Sequence, residues 1–174
     1  MFAFWSNGSV TRILGIDPGL RHTGWGVLDA DGSRLTYVGS GTIDPPGDLS
    51  LGERLLALAA GIEDVIGTHG PSAAAIEETY VNQGPRSALL LGQARGVALM
   101  VLTASGFAVG EYAATVIKKA VVGTGRADKG QVESMIGHLL PAARGVTADA
   151  ADALAVAVCH AGHLGTKSRT RLLA

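Results

Sequence analysis

A short apolar run at residues 12–16, RILGI, constrains the fold of this chain more than any other feature. Its isoleucine and leucine side chains leave no polar face, which is typical of a strand covered on both sides of a sheet. Asp17 follows directly, and Pro18 and Gly19 then end the strand in a turn. A carboxylate there loses hydration unless a cation, a donor or water meets it. Asp17 is therefore either a turn-capping residue or part of a functional site.

The order of segments predicts an α/β fold with a mixed five-stranded sheet flanked by helices. Residues 12–17, 23–29 and 34–43 read as three consecutive strands that pair in an antiparallel meander. Two further strands, at 72–77 and 107–112, alternate with helical patterns, which predicts parallel pairing. The helical patterns cover residues 51–70, 85–105, parts of 114–140, and 148–164.

Length and composition indicate one globular domain. A chain of 174 residues with 47% hydrophobic residues can bury a substantial core. We assign the domain to residues 12–165, with residues 1–11 as a flexible N-terminal extension and residues 166–174 as a basic C-terminal tail. The single cysteine, Cys159, lies in an apolar helical pattern, which predicts a buried thiol and a reducing cytoplasm.

Two apolar stretches invite a membrane interpretation that the sequence does not favour. The first ten residues lack a basic region and are too short for a signal peptide. Residues 88–105 come closest to a membrane span, but Gln93 and Arg95 interrupt them. A buried or interface helix is the better interpretation, and we expect no membrane partner.

The distribution of charge is more informative than its sum. The net charge is −1 and the isoelectric point is about 6.5, which does not by itself indicate a nucleic-acid-binding protein. Between residues 84 and 130, however, six basic residues stand against two acidic ones. These are Arg86, Arg95, Lys118, Lys119, Arg126 and Lys129.

Acidic residues mark three places in the predicted fold. Asp17 ends the first strand, Glu77 and Glu78 end the fourth, and Asp149 and Asp152 lie one helical turn apart. If the first and fourth strands are neighbours, their carboxyl ends share the crevice where open α/β sheets bind ligands. Gathered carboxylates repel one another, and Mg²⁺ or Mn²⁺ relieves that repulsion. Two such ions could stabilise the attacking and leaving oxygens of a phosphodiester displacement.

Each acid also has a structural interpretation. The carboxylate of Asp149 can interact favourably with the helix dipole, near a cap at Thr147. This explanation suits Asp152 poorly, because Asp152 lies past the first turn among alanines. Successive strand residues point to opposite faces, so Glu77 and Glu78 are not expected to serve equally.

Five segments in register resemble the RuvC family of Holliday-junction resolvases across residues 12–160. They are ILGIDPGLRHTGWGV, AIEETY, LGQARGVAL, EYAATVIKKAVVGTGRADKGQV and ADAADALAVA. The resemblance implies a ribonuclease-H-like fold, a homodimer, and cleavage of four-way DNA junctions with Mg²⁺ or Mn²⁺ in recombination and repair. It also implies a bacterial cytoplasmic protein that works with a branch-migration motor complex of the RuvA and RuvB type. By position, the catalytic and metal-binding acids are Asp17, Glu77, Asp149 and Asp152.

The resemblance and the charge pattern suggest further contacts. Tyr80 matches a position where the family places an aromatic residue beside the junction centre, where it could stack on an unpaired base. Phosphate contacts are assigned to Lys118, Lys119, Arg126 and Lys129, with solvated surface charge as the alternative for any one of them. The helix from Pro85 is apolar on nearly every side, which predicts a dimer interface around Gly92 and Gly96.

Three other functions compete with junction cleavage. A sugar-kinase or actin-like ATPase also begins with a strand ending in an Asp-x-Gly turn, but it needs two such domains around its nucleotide. A related nuclease could act on another branched or RNA-containing substrate. A DNA-binding module could hold junctions without cutting them, although all four acids are present here.

Overall fold

The computed structural model describes residues 10–78 and 84–172, and the side chains of the last helix through residue 165. Its five strands form one sheet in the order β3-β2-β1-β4-β5. They are β1 (Thr11–Asp17), β2 (Thr23–Asp31), β3 (Arg34–Ile43), β4 (Ala73–Glu78) and β5 (Gly110–Ala113). The first three strands pair antiparallel, whereas β1, β4 and β5 are parallel, which confirms the predicted mixed sheet.

Five α-helices connect and cover the strands. They are α1 (Leu51–His69), α2 (Pro85–Ala104), α3 (Ala114–Val122), α4 (Lys129–Leu139) and α5 (Ala148–Leu172). Ser50 begins α1 with a reciprocal capping box to Glu53, which satisfies two backbone donors at once. A 3₁₀ turn at Pro141–Ala143 links α4 to the last helix.

The structure corrects two predicted boundaries. The last strand begins at Gly110 rather than at residue 107, because Phe107 and Val109 pack against the core without joining the sheet. The last helix continues to Leu172, through most of the segment that the sequence analysis assigned to a tail. The basic segment between this strand and this helix forms α3 and α4. Helix α3 ends at Gly123, which has left-handed backbone geometry, and residues 124–128 lead into α4.

The sheet separates two hydrophobic cores. On one face, Ile13 and Ala75 pack with α3, α4 and α5, and Cys159 is fully buried there as predicted. On the other face, Leu14 and Ile76 pack with α1 and α2. Because successive side chains of a strand point to opposite faces, each residue of β1 and β4 faces either α3, α4 and α5 or α1 and α2.

Three strand glycines let α5 lie on the sheet with almost no side-chain layer between them. Gly15 pairs with Gly26 across β1 and β2, and Gly24 pairs with Asp17. A Cβ added to Gly26 would lie 2.8 Å from the Leu154 backbone nitrogen, and one added to Gly24 would overlap the Asp149 carbonyl. A glycine inside a strand is typical of close approach by another backbone.

An ion pair fastens the opposite end of the sheet. Arg12, at the amino end of β1, donates from Nε and Nη2 to the Asp29 carboxylate at 2.8 and 3.0 Å. Its Nη1 also donates to the His69 carbonyl at 2.9 Å, at the end of α1. The guanidinium hydrogen bonds lower the pKa of Asp29.

Helix α2 leaves one apolar face uncovered, which we call the α2 face: Leu89, Gly92, Gly96 and Met100. Leu89 and Met100 are 63% and 60% exposed, and no atom within 4 Å would meet a Cβ on either glycine. The opposite side of α2 is buried through Ala94 and Ala98. By length and mean hydropathy (1.5) alone, α2 could also cross a membrane.

Replacement of Gly24 by alanine should test the close approach of α5. We expect Gly24→Ala to lower the free energy of unfolding by about 1–3 kcal/mol, because the new methyl group forces the first turn of α5 outward. Gly67→Ala is the control, since Gly67 is an exposed glycine of α1 with open space around it. It should leave stability unchanged or raise it by up to about 1 kcal/mol. Equal urea midpoints for Gly24→Ala and the wild type would contradict the interpretation.

Candidate active site

The carboxyl ends of β1 and β4 place Asp17 and Glu77 side by side. The two strands are parallel neighbours with Ile16 opposite Ile76, so the next residue on each strand stands at the same level. A site shared by the first and fourth strands requires this adjacency, and the structure fulfils the condition.

The first turns of α5 bring two more carboxylates to this end of the sheet. Thr147 begins the helix: its hydroxyl accepts a hydrogen bond from the Ala150 N–H at 3.3 Å, as the predicted cap requires. Asp149 lies over Gly24, the cross-strand partner of Asp17. Asp152 follows one turn later, among buried alanines.

Strand alternation separates Glu77 from Glu78. Ala75 belongs to the core beneath α5, and Ile76 belongs to the core beneath α1 and α2. Glu77 therefore lies on the α5 face with Asp17, whereas Glu78 lies on the other face.

Asp17 and Glu77 resist ionisation. Burial raises the pKa of Asp17 to about 8, and repulsion from Glu77, Asp152 and Asp149 adds to the effect. Burial likewise raises the pKa of Glu77 to about 7, with a further contribution from Asp152. Near neutral pH, this end of the sheet therefore holds protons that isolated carboxyl groups would have released.

Two lysines from the basic helices reach the acids. Lys129, the first residue of α4, places Nζ 3.3 Å from Oδ2 of Asp152. The α4 cap at Asp128, which accepts from the Gln131 N–H at 2.8 Å, fixes where this lysine begins the helix. Lys118 on α3 also lowers the pKa of Glu77 through its charge. Both lysines therefore belong to the electrostatics of the site as well as to the predicted DNA surface.

The turn after Asp17 is held by residues that the sequence analysis did not identify. Thr23 is fully buried, and its hydroxyl accepts from the Gly19 N–H at 3.1 Å while donating to the Gly19 carbonyl. Arg54, on α1, donates to the Leu20 carbonyl at 2.9 Å. A buried threonine and a distant arginine satisfy the backbone of this turn, and only Thr23 is close enough in sequence to have suggested it.

The remaining predicted residues fall in several places. Tyr80 lies outside the described residues. Lys119 and Arg126 are exposed on the α3–α4 segment. Gly92 and Gly96 lie on the α2 face, away from the acids. The predicted site thus divides into an acidic centre, a basic segment beside it, and a separate apolar face.

Two histidines further along α5 have partners of their own. His160 is buried with Nδ1 2.8 Å from the Tyr112 hydroxyl, and His163 donates from Nδ1 to the Cys159 carbonyl at 2.9 Å. Both lie beyond the acidic turns of α5.

The donor set suits a hard divalent cation. Carboxylate oxygens are the preferred protein ligands of Mg²⁺ and Mn²⁺, and the pKa values of Asp17 and Glu77 are raised by burial first and by repulsion from neighbouring acids second. Within the part of the chain that the structure describes, no three His, Cys, Asp or Glu side chains are arranged so that they could hold a metal ion as they stand. The chemistry of the four acids fits such ions, which would compensate the repulsion.

The family model described as crossover junction endodeoxyribonuclease RuvC matches residues 13–160. The chain belongs to the RuvC family. A relative from Paramagnetospirillum magneticum, named crossover junction endodeoxyribonuclease RuvC, is 58% identical over 158 residues, covering 91% of this chain and 95% of its own. A relative of the same name from Azorhizobium caulinodans is 54% identical over 95% of this chain and 98% of its own.

Solved structures of two Holliday junction resolvases share the fold. The structure of T. thermophilus RuvC in complex with Holliday junction substrate superposes with a TM-score of 0.82 at 28% identity, over 90% of this chain and 96% of that one. The yeast mitochondrial Holliday junction resolvase Ydc2, with a TM-score of 0.62 at 12% identity, shows the same fold over 92% of this chain and 84% of its own. The predicted ribonuclease-H-like architecture is thereby confirmed.

The raised pKa of Asp17 predicts how the stability of the metal-free protein depends on pH. Below pH 4, Asp17 is protonated in both the folded and the unfolded chain. Between about pH 4 and 8 only the folded chain keeps the proton, so wild-type stability falls as pH rises. Asp17→Asn removes this term and should be more stable than the wild type at pH 8 by about 1.4 kcal/mol or more, the equivalent of one pKa unit.

Urea unfolding in a chelator, repeated from pH 4 to 9, measures this difference. Asp64→Asn is the control, because Asp64 is exposed on α1, which packs on the sheet face opposite α5. Parallel stability curves for Asp17→Asn and the wild type would contradict the assignment of burial and repulsion to Asp17.

Proposed function

We propose that this protein is a structure-selective endodeoxyribonuclease that resolves four-way DNA junctions by paired symmetric nicks, in homologous recombination and DNA repair. The observation that carries the proposal is the convergence of Asp17, Glu77, Asp149 and Asp152 at one end of the sheet in a chain of the RuvC family. The T. thermophilus relative, solved with a Holliday junction substrate, supports the choice of a four-way junction over another branched or RNA-containing substrate.

In the proposed mechanism, the four acids would hold two Mg²⁺ or Mn²⁺ ions. Bound ions of this kind activate water and stabilise the attacking and leaving oxygens of an in-line phosphodiester displacement. Asp17 and Glu77, on neighbouring strands, fix one side of the site, and the first turns of α5 fix Asp149 and Asp152 on the other. Bound ions would favour the ionised forms of Asp17 and Glu77, whose pKa values burial raises.

The basic segment supplies affinity for DNA. Lys119 and Arg126 are exposed on the α3–α4 segment, and Lys118 and Lys129 lie close enough to the acids to affect their electrostatics. Phosphate contacts of this kind position a duplex without reading its sequence. Tyr80 is proposed to stack on an unpaired base at the junction centre.

The α2 face is proposed to join two chains. Resolution of a four-way junction requires nicks in two strands of like polarity, and a dimer with two-fold symmetry presents two sites with matching geometry. Gly92 and Gly96 permit close backbone approach, while Leu89 and Met100 contribute apolar area that the monomer leaves exposed. A dimer interface accounts for the hydropathy of α2 without a membrane.

The cytoplasmic location and the partnership with a motor complex of the RuvA and RuvB type stay predictions.

The rival functions account for less of the molecule. A nucleotide-binding ATPase of the actin type needs two domains of this kind, and residues 10–78 and 84–172 form one sheet with two cores. A module that only holds junctions gives no reason for four acids whose repulsion destabilises the fold. ATP turnover and nicking of a synthetic junction separate these possibilities.

Neutralisation of the acids should separate cleavage from binding. We expect Asp17→Asn, Glu77→Gln, Asp149→Asn or Asp152→Asn to reduce nicking of a four-way junction by at least about 100-fold at saturating Mg²⁺, because each removes a metal ligand. Junction affinity should change by less than about threefold, since basic residues supply it. Gel assays of nicking and binding on one junction measure both quantities.

Glu78→Gln is the matched control, because it changes the adjacent carboxylate on the opposite face of β4. It should retain most of the wild-type rate. Near-wild-type nicking by two of the four acid variants would refute the assigned site.

Gly96→Leu should disrupt the dimer while leaving the chain folded. The position has open space in the monomer, and leucine favours helix over glycine by about 1 kcal/mol. Sedimentation at micromolar concentration should show monomers, and paired nicking should give way to single nicks. Gly67→Leu, at an exposed glycine of α1, should remain dimeric. A wild-type monomer that makes two coordinated nicks would overturn the proposal.

A further inference from the structure

Arg95 joins three elements next to the acidic centre. It lies on α2, one residue before Gly96 of the α2 face. Its Nε donates to the backbone carbonyl of Glu77 at 3.1 Å, and its Nη2 donates to the Glu111 carboxylate on β5. One guanidinium thus fastens α2 to the ends of two strands.

We propose that Arg95 is a positioning residue that fixes the backbone of Glu77 and thereby couples the α2 face to the cleavage site. The inference rests on the proposed function of Glu77. Because the Glu77 side chain projects from the backbone that Arg95 holds, any shift of that backbone moves the carboxylate. A displacement of about 1 Å in a catalytic group can cost about 100-fold in rate.

The fork of the arginine suits this task. Glu111 stands opposite Ile76 in the β4–β5 register, so its side chain lies on the sheet face that α1 and α2 cover. Glu77 points to the other face but offers its carbonyl in the plane of the sheet. Two donors on one rigid plane reach both acceptors together, whereas a lysine presents a single point charge.

Arg95 differs from the basic residues assigned to DNA. Its side chain is 22% exposed, against 75% for Lys129, and its donors are directed at protein acceptors. It also approaches the sheet from the side of α2, opposite the face that carries the acids. Substitution should therefore change the chemical step and leave junction affinity alone.

The coupling follows from the place of Arg95 on α2. Arg95 and Gly96 are consecutive residues of one helix, so a second chain that seats on the α2 face restrains the same turn that holds Glu77. Dimer assembly and the geometry of the acidic centre then depend on each other through one side chain.

The test compares Arg95→Met, which keeps an apolar stem without donors, with Arg95→Lys, which keeps the charge with a different geometry. Arg34→Met is the control, since Arg34 is exposed at the start of β3, on the far edge of the sheet. Four quantities are measured: Mn²⁺ affinity by calorimetry without DNA, junction affinity in chelator, single-turnover nicking at saturating junction, and oligomeric state by sedimentation.

For Arg95→Met we expect nicking to fall by about tenfold or more and Mn²⁺ affinity by about threefold or more, with junction affinity within about twofold of the wild type. Arg95→Lys should lie between Arg95→Met and the wild type, and Arg34→Met should match the wild type. If Arg95→Met does not fold, Arg95→Lys decides: weaker Mn²⁺ binding at unchanged junction affinity supports the proposal.

Wild-type Mn²⁺ affinity and nicking in a folded Arg95 variant would overturn the proposal, as would a loss confined to junction affinity. The calorimetric measurement keeps this inference separate from the proposed function. A wild-type protein that binds Mn²⁺ but cuts no junction refutes the function, and the effect of Arg95 on Mn²⁺ affinity is still decided.

Discussion

The rest of the structure depends on direct contact between the backbone of α5 and the backbones of β1 and β2. Aspartate side chains are short, so Asp149 and Asp152 can approach Asp17 only if their helix lies almost on the strand. Glycine at positions 15, 24 and 26 removes the side chains that would hold α5 away. The same contact buries the apolar length of α5 and forms one of the two cores. The interface of α5 with β1 and β2 therefore contributes to the stability of the fold and also sets the geometry of the acids. A substitution in this interface should affect both.

Local patterns were sufficient to predict the sheet and the acids, because the relevant signals are short apolar runs that end in carboxylates. The mixed pairing and the placement of Glu77 and Glu78 on opposite faces follow from them, whereas the adjacency of the first and fourth strands was only a condition, which the structure supplies. The start of β5 was wrong, since Phe107 and Val109 are apolar for packing and not for pairing. Arg95 and Arg54 were missed because their acceptors are backbone carbonyls distant in sequence, which no periodicity reveals. Alternating glycines in β2 could have indicated the close helix, although not which helix.

Negative charge converges on the carboxyl end of the sheet from three directions. Two strands and one helix contribute carboxylates, and a nucleic-acid substrate would add phosphates. Lys118 and Lys129 offset part of this charge from the side of α3 and α4, but Asp17 and Glu77 still keep raised pKa values. The repulsion among these carboxylates is therefore only partly offset by protein cations. This unfavourable interaction lies at the end of the sheet where cleavage is proposed to occur, and not in either of the two well-packed cores.

The two ends of β1 differ in their electrostatics: an ion pair of Arg12 lies at one end and the repelling acids around Asp17 lie at the other. At the amino end of β1 a single guanidinium closes the gap between β2 and α1, with three hydrogen bonds. At the carboxyl end of the same strand, repulsion replaces attraction. Local opening should therefore be uneven along one seven-residue strand: rare at Arg12 and frequent at Asp17. Strand β1 is thus held by attraction at its amino end and opposed by repulsion at its carboxyl end, and cations bound by the four acids would even out this difference along the strand.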